Sequence, residues 1–107
     1  MIHVEYHRKL HKVIIKGHAG SAPHGEDLVC AAVSALTYTL AANACELRDG
    51  GYTRHINTKV DAGDSEISVV PKSRYASVAE LVISAVCVGF EVLAEQYPDY
   101  VKFHEIL

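Results

Sequence analysis

Apolar residues in this chain recur at two different periods, and the order in which the periods alternate restricts the folds open to it. Ile2, Val4 and Tyr6 alternate with His3, Glu5 and His7, the period of a half-buried strand. After a turn at His7 to Lys9, Leu10 to Lys16 alternates again, with Val13 and Ile15 on one face and Ile14 on the other. So short a join makes the two strands a hairpin. From Val29 the step changes to three and four, through Val33, Leu36, Leu40, Ala44 and Leu47, and this amphipathic helix stops at Asp49-Gly50-Gly51. Ile56, Thr58 and Val60 return to alternation, Ala62-Gly63-Asp64 turns the chain, and Ile67 to Val70 forms a fourth strand closed by Pro71.

A second helix starts between Tyr75 and Val78, where Ser77-x-x-Glu80 reads as a capping box, and runs to about Gln96. It carries two apolar stripes. One runs through Val78, Leu81, Val82, Ala85, Gly89, Val92 and Leu93, the other through Ile83, Val86, Cys87, Phe90 and Ala94. A helix apolar over so much of its girth needs two partners, a sheet on one side and a second subunit on the other. Alternation in the tail from Tyr97 to Leu107 adds a short C-terminal edge strand. The order strand-strand-helix-strand-strand-helix is that of a two-layer α+β fold, and residues 1–107 are expected to form one small domain.

Composition narrows the function classes. A formal net charge of −3 with scattered Lys and Arg offers no basic face for nucleic acid. Met1 leads straight into strand-like alternation, so no export signal is expected, and no uninterrupted apolar run reaches the roughly 18 residues of a membrane span. Three cysteines without an export signal indicate reduced thiols and a cytoplasmic protein.

The most informative segment is the ten-residue glycine-rich loop at 17–26 that runs into the first helix. With Asp27 as N-cap, Cys30 becomes the third helical residue, where free N–H groups and the helix dipole favour a thiolate. His18 and His24 both lie in the loop and either supplies the base of a Cys/His pair. Amides around Cys30 are placed to receive an oxyanion. Ser34 follows Cys30 by one turn. The rival for Cys30 is a small buried side chain. Cys45 and Cys87, set among alanines and valines, read as structural. His18, His24, Asp27 and Cys30 form a mixed ligand set, but they lack the close pairing of zinc sites, so no metal is expected. Without a Gly-Lys-Ser/Thr ending or GxGxxG run, the loop has no phosphate signature, and no cofactor is expected.

Gly17-His18-Ala19, then Gly25, then Asp27-x-Val29-Cys30-Ala31-Ala32-Val33-Ser34 resembles the signature of the ribosomal-processing cysteine protease (Prp) family. The resemblance implies a cytoplasmic, homodimeric endopeptidase that removes the short N-terminal extension of a large-subunit ribosomal protein. It puts the catalytic cysteine on Cys30 and the catalytic histidine on His18, with Asp27, Ser34, Gly17, Ala19 and Gly25 as supporting or substrate-binding positions. It also implies a loop that moves when substrate binds. Nothing in the resemblance assigns His24. The alternative to an enzyme is a non-catalytic ribosome-associated module whose loop binds a peptide; a redox or transferase thiol is weakened by the lack of a CxxC partner.

Overall fold

The computed structural model describes residues 1–18 and 24–107, with side chains for 1–18 and 28–107. The elements run β1 (Ile2–His7), β2 (Lys12–Lys16), α1 (His24–Asp49), β3 (Thr53–Asp61), β4 (Asp64–Pro71), α2 (Ala76–Gln96) and β5 (Val101–Ile106), with 3₁₀ turns at Arg8–Leu10 and Ser73–Tyr75. The expected order holds, including the C-terminal strand.

All five strands form one sheet in the order β3-β4-β2-β1-β5. The two hairpins lie side by side because β4 pairs antiparallel with β2, Val13 opposite Ile67 and Lys16 opposite Asp64. The chain then crosses through α2 so that β5 pairs parallel with β1, Val4 opposite Phe103. Alternation decides which face is dry. Val4, Tyr6, Val13, Ile15, Ile67 and Val69 point to one side and are buried. Both helices cover that side, while His3, Lys16, Lys102 and His104 stay exposed on the other.

Helix α1 buries Val29, Val33, Leu40, Ala44 and Leu47 as the periodicity predicts. Leu36 instead turns sideways onto α2, where a Cβ on Gly89 would stand 2.9 Å from its Cδ2. Helix α2 presents Ala79, Ile83, Cys87 and Phe90 to the sheet, so the second of its two stripes is the inner one. The capping box does not form: α2 begins at Ala76 and no side chain caps it. Glu80 is taken up instead by Arg8, whose Nη1 donates to it at 2.9 Å while Nη2 donates to Glu105 at 2.6 Å. One guanidinium thereby joins the end of β1 to α2 and β5.

The stretches Leu28–Asp49 and Ser73–Gln96 are long and apolar enough to cross a membrane, with mean hydropathies of 1.6 and 1.9. This corrects the expectation drawn from uninterrupted apolar runs, since alanine, serine and threonine dilute a helix without charging it. Here both helices lie along the sheet, yet only 28 % of each apolar stretch is buried. Val78, Leu81, Val88 and Val92 form an outward stripe on α2, and Leu28 and Tyr38 are exposed on α1.

Candidate active site

Three segments distant in sequence converge at one end of the sheet. The first is the end of β2. Gly17 adopts φ +105 there, and a Cβ would strike the main-chain oxygen of Met1, so only glycine fits this close approach. Its N–H donates to the Gly63 carbonyl at 3.0 Å, and the Met1 amino group donates to the His18 carbonyl at 2.8 Å. The His18 ring is exposed to solvent. The second segment is α1, which carries half-buried Cys30 and, one turn on, exposed Ser34. Below them Thr37 is buried, its hydroxyl donating to the Val33 carbonyl at 2.8 Å.

The third segment is the β3–β4 turn, with Asp61, Gly63 and Asp64. Gly63 has φ +70, and the Nε2–Cε1 edge of the His18 ring occupies the place its Cβ would take. Asp64 is tied down: Lys59 Nζ donates to it at 2.7 Å and Lys16 Nζ lies 3.9 Å away. The hydrogen bond from Lys59, helped by its charge and that of Lys16, holds the Asp64 carboxyl below its ordinary value.

These segments enclose a cavity of about 310 Å³, lined among others by Gly17, His18, Cys30, Ser34, Tyr38 and Gly63. The fold thus brings together four of the positions expected from sequence. Ala19 lies outside the described residues, as do the side chains of His24, Gly25, Glu26 and Asp27. Among the described residues no three His, Cys, Asp or Glu side chains are grouped to hold a metal ion.

One expectation is overturned. Helix α1 begins at His24, three residues before Asp27, so Asp27 is not its N-cap and Cys30 is the seventh helical residue. Free N–H groups occupy only the first four positions of a helix, and the dipole fades beyond the first turn. The helix terminus therefore does not act on the Cys30 thiol, and the Cys30 amide is spent within the helix rather than free for an oxyanion. A cavity shared with His18 is what remains to distinguish this thiol. Cys87, by contrast, is buried, and burial pushes its thiol up to about 12, in keeping with a structural role; Cys45 is half-buried.

Sequence reasoning missed the contribution of the hairpin tip. Ala62-Gly63-Asp64 signals a turn, but only the long-range β2–β4 pairing reveals that this turn abuts His18.

The family model described as cysteine protease Prp matches residues 1–102. Solved structures agree in fold. An essential ribosomal processing protease Prp from S. aureus, in complex with a covalently linked product peptide, aligns with TM-score 0.71 at 23 % identity, covering 99 % of this chain and 100 % of that one. The S. aureus protease with a substrate peptide aligns at 0.65 and 16 % identity, covering 98 % and 97 %. SMU.848 from Streptococcus mutans aligns at 0.68 and 28 % identity, covering 98 % and 91 %. No match was found among curated proteins.

Proposed function

The chain belongs to the cysteine protease Prp family, and from that premise we propose that it removes the short N-terminal extension of a large-subunit ribosomal protein, with Cys30 as nucleophile and His18 as general base. The observation that carries the reading is that Cys30 on α1 and His18 just past β2, twelve positions apart, line one cavity. The similar S. aureus protease holds a covalently linked product peptide, which supports a peptide as the substrate class.

In this mechanism His18 accepts the Cys30 proton and the thiolate attacks the scissile carbonyl carbon. The C–S bond forms, and the C–N bond breaks as His18 returns the proton to the departing amine. Water then attacks the thioester with His18 again taking the proton, and the carboxylate product leaves as the thiol is restored. Ser34 contributes a hydroxyl to the same cavity. Gly17 keeps His18 against the Met1 main chain, and Ala19, Gly25 and Asp27 take supporting or substrate-binding roles in this reading.

The active species is a homodimer joined through the outward stripe of α2, which a second copy covers in place of lipid. All three cysteines are free, which suits a cytoplasmic protein, and the net charge of −3 suits a partner that is peptide rather than nucleic acid.

The test is mass spectrometry of a synthetic peptide spanning the ribosomal extension, incubated with wild-type protein and with Cys30→Ala. A single cut by wild type alone is expected. Cleavage retained in Cys30→Ala would remove the nucleophile, and no cleavage by folded wild-type protein would overturn the assignment.

A further inference from the structure

We infer that Gly63, at the tip of the β3–β4 hairpin, is a positioning residue for His18: its bare Cα gives the imidazole a surface to rest on and so sets how the ring stands in the cavity it shares with Cys30. This rests on the reading of His18 as the base.

The backbone on either side of the ring is fixed first. Gly17 N–H is bonded to the Gly63 carbonyl at 3.0 Å, and the His18 carbonyl accepts the Met1 amino group at 2.8 Å. With the main chain held, the ring has only its two side-chain torsions left, and it stands in solvent. The ring rests against Gly63, where a Cβ would overlap Nε2 and Cε1 and would lie 2.9 Å from Cδ2. Any side chain at 63 must drive the ring to another rotamer.

The hairpin tip is firm enough to serve as a stop. Ser65 Oγ donates across the turn to the Asp61 carbonyl at 3.1 Å, and Asp64 is bridged to Lys59 on the neighbouring strand. A catalytic histidine is usually oriented by a hydrogen-bonded third group. Packing against a glycine limits the ring in another way, and the glycine belongs to a hairpin more than forty positions beyond the histidine.

The experiment must separate ring displacement from backbone strain, because any L-residue at φ +70 is strained. Gly51 provides the control. It has φ +80, and a Cβ there would meet nothing nearer than Lys72 Nζ at 4.0 Å. Wild type, Gly63→Ala, Gly51→Ala and His18→Ala are compared in the pH dependence of Cys30 alkylation by iodoacetamide, with Cys30 read by peptide mapping, and in turnover of the extension peptide. Gly63→Ala is expected to move its alkylation profile onto that of His18→Ala and to lose about 10- to 100-fold in kcat with KM within about twofold, part of what a general base contributes. Gly51→Ala is expected to follow wild type in both.

A Gly63→Ala profile that overlays wild type, while His18→Ala departs from it, would overturn the positioning role and leave the base intact. Equal displacement by Gly51→Ala would assign the effect to strain and also overturn it. A His18→Ala profile that overlays wild type would overturn the base and the positioning role together.

Discussion

Replacing Leu81 with Glu tests what covers the helix layer. Leu81 lies in the middle of the outward α2 stripe and is 70 % exposed, with Val88, 56 % exposed, two turns on. Fully burying a leucine side chain is worth about 1.5–3 kcal/mol, so the part of Leu81 left open is worth about 1–2 kcal/mol per protomer. A two-fold interface uses the same patch twice. Leu81→Glu therefore removes about 2–4 kcal/mol from association, which weakens dimerisation about 30- to 1000-fold. Burying the carboxylate adds to that loss.

Sedimentation equilibrium over a concentration series measures the constant directly. Thermal unfolding under dilute, monomeric conditions supplies the control: an exposed substitution shifts stability by no more than about 0.5 kcal/mol. A variant that dimerises as tightly as wild type would refute the reasoning. So would a wild-type protein that stays monomeric at high concentration and sediments with lipid vesicles, since lipid would then be the occupant of the stripe.

Three further substitutions probe the fold and the rim of the cavity. Tyr6 is buried, burial being the main reason its phenol is raised, and its hydroxyl has no hydrogen-bond partner among the described residues. Tyr6→Phe should stabilise the protein by about 1 kcal/mol by removing an unsatisfied group, and a lower denaturation midpoint would contradict this. Phe90 is fully buried between α2 and the sheet, so Phe90→Ala should cost about 3–5 kcal/mol in urea unfolding; a loss under about 1.5 kcal/mol would mean the core is not packed as described. Because the Asp64 carboxyl is lowered in the folded protein, the stability it lends is present at neutral pH and lost as acid protonates it. The difference in unfolding free energy between wild type and Asp64→Asn should therefore shrink steadily as the pH falls through the carboxylate range, and a difference that grew on acidification would reverse the sign assigned to the Lys59 contact.

Period and order carried the architecture. Ile2, Val4, Tyr6, Val13 and Ile15 are buried because alternation places them on the face that the helices cover, and that much is local. Two features were not local. The start of α1 was misplaced because Asp27 is a good cap residue by type, whereas the helix begins at His24. A residue's preference for the cap position says nothing about whether the preceding turn is already helical. The hairpin tip was the other omission, since no pattern within residues 62–64 encodes the pairing of β4 with β2.

Those two misses bear on the same question of what sets Cys30 apart from the other two cysteines. Placing Cys30 in the first turn made the helix terminus its activating group, a property one stretch of sequence can supply. At the seventh position a nucleophilic thiol would depend on side chains carried by other elements. His18 comes from the end of β2, and the surface that orients it comes from the β3–β4 turn. The β2–β4 pairing sets Lys16 opposite Asp64, which puts the turn beside the residues that follow β2. A chain with the glycine-histidine and valine-cysteine blocks intact but that strand register shifted by one residue would turn the β4 side chains to the opposite face and carry Gly63 away from His18. Such a chain would keep the motif and lose the site.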